Sequence, residues 1–228
     1  MIYLEILSFL ATVGMYCAAR VLYKRYNKIY FSPLIVTPAV LIAIFMLSHI
    51  PYEAYRIGTD PLTYMLEPAT IALAVPLYQY FHVLKKYALE ILFSVAAGSV
   101  LAISSSALLA QSLHLSPELI ESAIPRSVTT PIAMEISERI GGLPSITAVI
   151  VLVTGIVGSV MGQYVIRVCK IENDVAKGVL FGTSSHAAGT AKAFEFSEVT
   201  GSISSVSMIL AALITLLAVP LFGWIFGS

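Results

Sequence analysis

The chain has 228 residues, 58% of them hydrophobic and only 11% charged, and its mean hydropathy is +0.89. That places it in the membrane class before any motif is read. Its 13 basic and 13 acidic residues balance, which removes any charge argument for nucleic acid or for an acidic partner surface.

A membrane-spanning helix needs about 20 mostly apolar residues. The first candidate runs from about Ile2 to Leu22. Without a basic n-region or a small-residue cleavage site, it reads as a retained helix rather than a signal peptide. The cluster Tyr23-Lys24-Arg25-Tyr26-Asn27-Lys28 follows, and the positive-inside rule puts it in the cytoplasm. Residues 33–50 form a second span, with Pro38 as a kink point. Residues 51–67 form a connector whose tyrosines suit an interface. The third segment, Pro68-Ala-Thr-Ile-Ala-Leu-Ala-Val-Pro-Leu-Tyr-Gln79, carries two prolines eight residues apart, so a break is expected near Pro76. Lys85 and Lys86 follow on the cytoplasmic side, and residues 88–110 make a fourth span. Its Ser104-Ser-Ser106 run suits contact with another helix.

Residues 124–139, Ile-Pro-Arg-Ser-Val-Thr-Thr-Pro-Ile-Ala-Met-Glu-Ile-Ser-Glu-Arg, are too charged for lipid contact all round. Gly141 and Gly142 end the segment, and residues 145–166 span again. Full crossing by 124–139 would place Arg167 and Lys170 outside. Re-entry places them inside, in agreement with the positive-inside rule, and is the expectation adopted. Residues 182–198 then set small and hydroxyl side chains around His186, Lys192 and Glu195, between two apolar runs. Ionisable groups at membrane depth are costly and mostly face a bundle interior or a wet cavity. This stretch therefore reads as a broken helix lining a polar site, interrupted between Gly182 and Gly189. Residues 202–226 form the last span. Cys17 and Cys169 lie far apart in apolar surroundings and read as two buried thiols rather than a disulfide.

The two polar stretches repeat one another. Setting Thr130 over Thr190, an offset of 190 − 130 = 60, pairs identical residues at Ala133/Ala193, Glu135/Glu195, Ser137/Ser197, Glu138/Glu198, Gly141/Gly201 and Ser145/Ser205. The expected fold is an all-α polytopic membrane protein of about seven or eight hydrophobic segments. Its helices are broken or re-entrant and form inverted repeats, the sequence pattern of a secondary transporter. One transmembrane domain covers 1–228, with approximate repeat halves 30–111 and 121–228 and an additional helix at 1–23. Segments 66–84 and 178–196 are expected to be interrupted and to face each other.

Chemistry follows from the breaks. Thr129-Thr130-Pro131 is a helix-start signal, and a helix starting inside the membrane aims free N–H groups and a positive dipole end at whatever faces it. Such an end suits a carboxylate or phosphate, with Arg126, Ser127, Thr129 and Thr130 beside it. The bland alternative is a capped interfacial helix with Arg126 snorkelling to headgroups. Glu135 with Arg139, and Lys192 with Glu195, have the spacing of helix ion pairs. Proton or cation coupling through Glu135 or Glu195 is the sharper reading. His186 is either a proton relay or a hydrogen-bonded structural residue. No enzyme is expected: Ser184-Ser185-His186 is a sequence neighbourhood rather than triad geometry, and no metalloprotease, nucleophile-elbow or dinucleotide motif is present. Neither a metal nor a cofactor is expected.

Three runs resemble signatures of the LrgB/CidB family: Arg126-Ser-Val-Thr-Thr-Pro-Ile-Ala-Met-Glu-Ile-Ser137 with Gly141-Gly142, Gly182-Thr-Ser-Ser-His-Ala-Ala-Gly-Thr-Ala-Lys-Ala-Phe-Glu195, and Pro68-Ala-Thr-Ile-Ala-Leu-Ala-Val-Pro-Leu-Tyr78. Arg126 stands where lysine is common in the family, which keeps the charge but changes the donor geometry. The resemblance covers nearly the whole chain, and it implies a fold similar to elevator-type carriers with crossed broken helices. It implies a multi-pass cell-membrane protein acting with a small LrgA/CidA-type membrane partner and described as holin/antiholin-like. It also implies small-monocarboxylate transport, because a fused plastid relative carries glycolate and glycerate and bacterial members are linked to pyruvate uptake. The expected substrate-contacting residues are Arg126, Ser127, Thr129, Thr130, Pro131, Ser184, Ser185, His186, Gly189, Thr190, Pro68, Ala69 and Thr70. Glu135, Lys192 and Glu195 are expected in coupling or ion pairing, and a homodimer in the bilayer is the expected assembly.

Overall fold

The computed structural model describes residues 2–26, 31–48, 51–65, 68, 71–72 and 74–226. Among these every labelled element is an α-helix: α1 (Ile2–Tyr26), α2 (Pro33–Ser48), α3 (Tyr52–Tyr64), α4 (Ala74–Gln79), α5 (Phe81–Lys86), α6 (Ala88–Ser112), α7 (Pro117–Ala123), α8 (Thr130–Ile140), α9 (Pro144–Val168), α10 (Asp174–Phe194) and α11 (Glu198–Phe226). Among the described residues four helices are long and apolar enough to cross a membrane: Glu5–Tyr26, Ala88–Ser112, Pro144–Val168 and Glu198–Val219. The 16-residue α2 is apolar but shorter, and Pro38 lies inside it.

The chain divides into two compact units, Met1–Ala72 and Leu73–Ser228. In the first, α1 packs on α2 and α3. Gly58 permits the closest approach, since a Cβ there would sit 2.8 Å from the Glu5 Cα. Thr12 Oγ1 lies 3.3 Å from the Tyr55 hydroxyl, and the Tyr55 ring lies against Phe45 with centroids 4.5 Å apart.

In the second unit α10 is two arms meeting at His186, whose φ of 39° and ψ of −128° are not helical. A straight helix through this region would hold residues 174 and 197 about 34 Å apart at about 1.5 Å per residue. Instead Ser197 Oγ donates to Asp174 Oδ2 at 2.9 Å, and the Phe181 and Phe196 rings lie 5.7 Å apart. The chain therefore reverses at His186, and the arms 174–185 and 187–194 form a helical hairpin. Both arms lie on α11. A Cβ on Gly178 would stand 2.7 Å from the Ile203 Cβ, one on Gly182 would stand 2.7 Å from the Ser207 Cβ, and Thr190 Oγ1 bonds Ser204 Oγ at 2.9 Å.

The α7–α8 segment makes a second, looser turn-back. The Leu143 N–H donates to Ser122 Oγ at 2.7 Å, and Thr147 Oγ1 donates to the Ser122 carbonyl at 3.0 Å and pairs with Ser137 Oγ at 2.7 Å. Gly141 ends α8 in the left-handed region at φ 98°, where a side chain would be strained.

Two expectations need correction. Pro76 lies inside α4 and does not break it. The interruption falls at Tyr80 (φ −102°, ψ 21°), between α4 and α5, and the Tyr80 hydroxyl donates to Glu198 Oε2 at 2.7 Å. The two cysteines are free, as expected, but both Cys17 and Cys169 are exposed on the chain rather than buried. Apolar neighbours in sequence identify a lipid-compatible stretch and do not say which face of the helix a thiol occupies.

Candidate functional site

The site is assembled on α9. Thr147 meets Ser137, and Val151, one turn further on, shares a buried cluster with Ala133. α8 thus runs antiparallel to α9, and the same register carried three residues further brings Thr130 beside residue 154. The arm 174–185 approaches α9 from its other end. A Cβ on Gly162 would stand 2.6 Å from Phe181 Cε1, one on Gly158 would stand 3.1 Å from the Ser185 Cβ, and one on Gly155 would stand 2.7 Å from His186 Cε1. Gly155, Gly158 and Gly162 lie on one face of α9 and let the arm seat against its backbone. Thr130 and His186 therefore reach α9 at the same level, between a third and a half of the way along, about 15 Å from its first residue at about 1.5 Å per residue.

His186 Nε2 lies 3.0 Å from the Val151 carbonyl oxygen. A carbonyl only accepts, so Nε2 carries the proton of this bond. Val128, at the turn before α8, is fully buried in the cluster that holds Val151. Both turn-backs thus share Val151, one through its side chain and the other through its carbonyl.

Two helices begin at this level. α8 starts after Thr129, which is extended (ψ 144°) but makes no side-chain cap bond, leaving first-turn N–H groups uncapped. By contrast Asn173 caps α10 conventionally, accepting from the Val175 and Ala176 N–H groups. The arm 187–194 is the second helix beginning here. Arg126 Nε donates to Ser106 Oγ at 2.5 Å, and Ser106 donates onward to the Ala102 carbonyl at 2.6 Å. Among the described residues no Asp or Glu forms an ion pair with Arg126. The arrangement offers two helix N-termini at one level of α9 and a half-buried guanidinium four residues before the first of them, groups that suit an anion.

Of the other expected site residues, Ser127, Ser185, Gly189 and Thr190 are buried, Thr129 and Thr130 half-buried, and Pro131 and Ser184 exposed. Ser184 Oγ donates back to the Leu180 carbonyl at 2.6 Å. Pro68 is exposed in the first unit, and Ala69 and Thr70 lie outside the described residues. The ion pairs form as spaced: Glu135 with Arg139 at 2.6 Å, and Lys192 with Glu195. Both sit at the far ends of their helices from the Thr130–His186 level, and the side chains of Glu135 and Arg139 are more than half exposed.

Sequence reading missed four contributors. Val151 is a plain apolar residue acting through its carbonyl and had no signal. Gly155, Gly158 and Gly162 did have one, a glycine row at helical spacing. The offset of 60, carried backward from Thr130, would also have paired Arg126 with His186. Where α10 begins, burial pushes the Asp174 carboxyl up, but hydrogen bonds from Ser197 and Lys177 and the Lys177 charge together hold it below its usual range.

The family model for the LrgB-like family matches residues 12–225. The chain is 56% identical to the Bacillus subtilis (strain 168) "Uncharacterized protein YwbG" over 218 residues, covering 96% of this chain and 97% of that one. It is 36% identical to "Uncharacterized protein YxaC" of the same strain, covering 98% and 97%. It is 35% identical to that strain's "Antiholin-like protein LrgB", covering 87% and 86%. No solved structure gives a significant match. A match of this extent, on an all-helical chain with four long apolar helices, shows that the protein belongs to the LrgB-like family of membrane proteins.

Proposed function

We propose that the protein is a multi-pass carrier in the cell membrane that moves a small anion, of monocarboxylate type, past the Thr130–His186 level. The observation that supports this is the meeting of two turn-backs, entering from opposite ends of α9, at one depth. Inverted-topology repeats would produce this arrangement, and in secondary transporters discontinuous helices meet at such a midplane site. Arg126 and the start of α8 would bind the carboxylate, and movement of one hairpin against the rest would give alternating access in the elevator manner. This reading takes the chain as a non-enzymatic homodimer working with a small LrgA/CidA-type membrane protein.

The test is uptake of radiolabelled pyruvate, glycolate, glycerate and lactate into proteoliposomes, with and without the partner. Arg126→Gln is expected to weaken apparent affinity about tenfold to hundredfold, as loss of a charge-assisted hydrogen bond of about 1.5–3 kcal/mol requires. Arg139→Gln, which alters only an exposed ion pair, is expected to transport normally. Normal transport by Arg126→Gln with failure of Arg139→Gln would place the site at the wrong end of α8.

A second reading is an antiholin-like regulator of murein hydrolase export and lysis. It is favoured by the name of the 35%-identical relative, "Antiholin-like protein LrgB". Absence of substrate-dependent uptake, together with altered lysis in cells lacking the protein, would decide for it.

A further inference from the structure

Hydroxyls on the helices of the second unit commonly bond back to a carbonyl one turn earlier. Ser106 bonds Ala102, Ser122 bonds Glu118, Thr183 bonds Val179, Ser202 bonds Glu198 and Ser205 bonds Gly201. Ser99 and Ser207 do not. Both are buried, at 2% and 0% exposure, and their hydroxyl oxygens have no hydrogen-bond partner. Leaving a buried hydroxyl unpaired is costly when a backbone acceptor stands one turn away, so these two oxygens call for an explanation.

Packing brings both serines to one arm of α10. Val95 of α6 shares a buried cluster with Ile203 of α11, and the arm 174–185 meets both helices at neighbouring residues. A Cβ on Gly182 would stand 2.7 Å from the Ser207 Cβ, and one on Gly98 would stand 3.7 Å from the Thr183 Cβ. That arm ends three to four residues later at His186. Its last carbonyls lack the N–H groups a continuing helix would supply, and they form the negative end of its dipole. Thr183 and Ser184 turn their hydroxyls back to Val179 and Leu180 and so do not cover that end.

We infer that Ser99, Ser207 and the carbonyl end of the arm 174–185 form a binding site for a small monovalent cation, sodium, at the junction of α6, α10 and α11. The donors are hydroxyl and carbonyl oxygens, the ligand class of a hard cation. Among the described residues no group of three His, Cys, Asp or Glu side chains could hold a metal ion, so the charged donors a divalent ion needs are missing. Carbonyl ends of broken helices coordinate sodium in secondary transporters. The inference deepens the carrier reading by naming its coupling ion. Its test contains no carried anion, so either can fail without the other.

The experiment is thermal melting of the purified full-length protein in detergent, in sodium, potassium or choline chloride at equal ionic strength. A ligand that binds only the folded state raises the midpoint in a saturable way. Sodium is expected to do so and the other two are not. Ser99→Ala combined with Ser207→Ala removes two unpaired hydroxyls and breaks no hydrogen bond, so the double variant is expected to fold. Its half-saturating sodium concentration should rise about tenfold or more. Ser105→Ala, whose exposed hydroxyl bonds the Ala102 carbonyl, should keep the full response. Equilibrium dialysis of the unaltered protein against radioactive sodium checks the site without any variant and should show saturable binding. Equal midpoints in all three salts, an undiminished sodium response in the double variant, or no saturable sodium binding would overturn the inference.

Discussion

Replacing Gly155 by alanine would place a methyl group 2.7 Å from His186 Cε1, 2.9 Å from its Nε2 and 3.2 Å from the Ala188 Cβ. Carbon atoms pack at about 3.5–4.0 Å, so the tip of the α10 hairpin must retreat by about 1 Å. The imidazole is held at 3.0 Å by the Val151 carbonyl, and a retreat of that size breaks this bond. Overpacking of a tight core costs about 1–3 kcal/mol. A buried donor and acceptor left unpaired cost about 1–3 kcal/mol more. Against this stands the helix-propensity gain of alanine over glycine, about 0.5–1 kcal/mol. Gly155→Ala is therefore expected to destabilise by about 1–5 kcal/mol. Two controls should show the gain alone: Gly98→Ala, whose nearest contact would be an ordinary 3.7 Å, and Gly14→Ala, which would meet nothing within 4 Å. The assay is thermal or denaturant unfolding of purified protein in detergent. Gly155→Ala as stable as Gly98→Ala would refute the seating of the hairpin tip on α9.

Stability should fall in acid through Asp174. Its folded carboxyl is held below the ordinary value, so its contribution is complete above the unfolded pKa and is lost as pH falls through the folded one. Asp174→Asn should flatten that acid limb in a melting-temperature profile, and an unchanged limb would remove Asp174 as its source. Glu121 is pushed the other way, by burial first and then by the Glu118 charge. Glu121→Gln should therefore raise the melting temperature at neutral pH and lose its advantage in acid, and equal loss at both pH values would contradict this. If residues 117–140 turn back rather than cross, α6 and α9 begin and end so that Lys86 and Cys169 share one membrane face. In a Cys17→Ser background, Cys169 and an introduced Lys86→Cys should react with an impermeant maleimide from the same side. Labelling from opposite sides would show that the segment crosses.

The α10 break was legible because glycine, serine and histidine interrupt an apolar run, a pattern with no role in a lipid-facing helix. Its exact position was not. The reversal falls on His186, a residue with a Cβ at positive φ, while Gly182 and Gly189 serve as close-approach points against Ser207 and Phe181. Of the residues paired at offset 60, Ala133 and Ala193 are both fully buried, whereas Ser137 and Ser197 bond threonines that the offset does not pair, Thr147 and Thr200. Pro76 misled because a proline marks where a helix can be interrupted, while the interruption itself falls four residues later, at Tyr80. The acceptor for His186 was invisible for a deeper reason, since a main-chain carbonyl belongs to every residue alike and only tertiary register selects Val151.

The dependence of α10 on α11 also sets an order for biogenesis. Gly178, Gly182 and Thr190 rest on Ile203, Ser207 and Ser204, residues that follow them along the chain. As the nascent chain emerges, the hydroxyl-rich hairpin with its histidine tip is complete before the surface that buries it has been synthesised. Lipid offers those polar groups no partner, so the hairpin cannot settle until the first half of α11 arrives. The two elements then enter the bilayer as one unit. A chain truncated after residue 197 should accordingly be captured by membrane quality control, while one extended past residue 212 should escape it, as pulse-chase lifetimes would show.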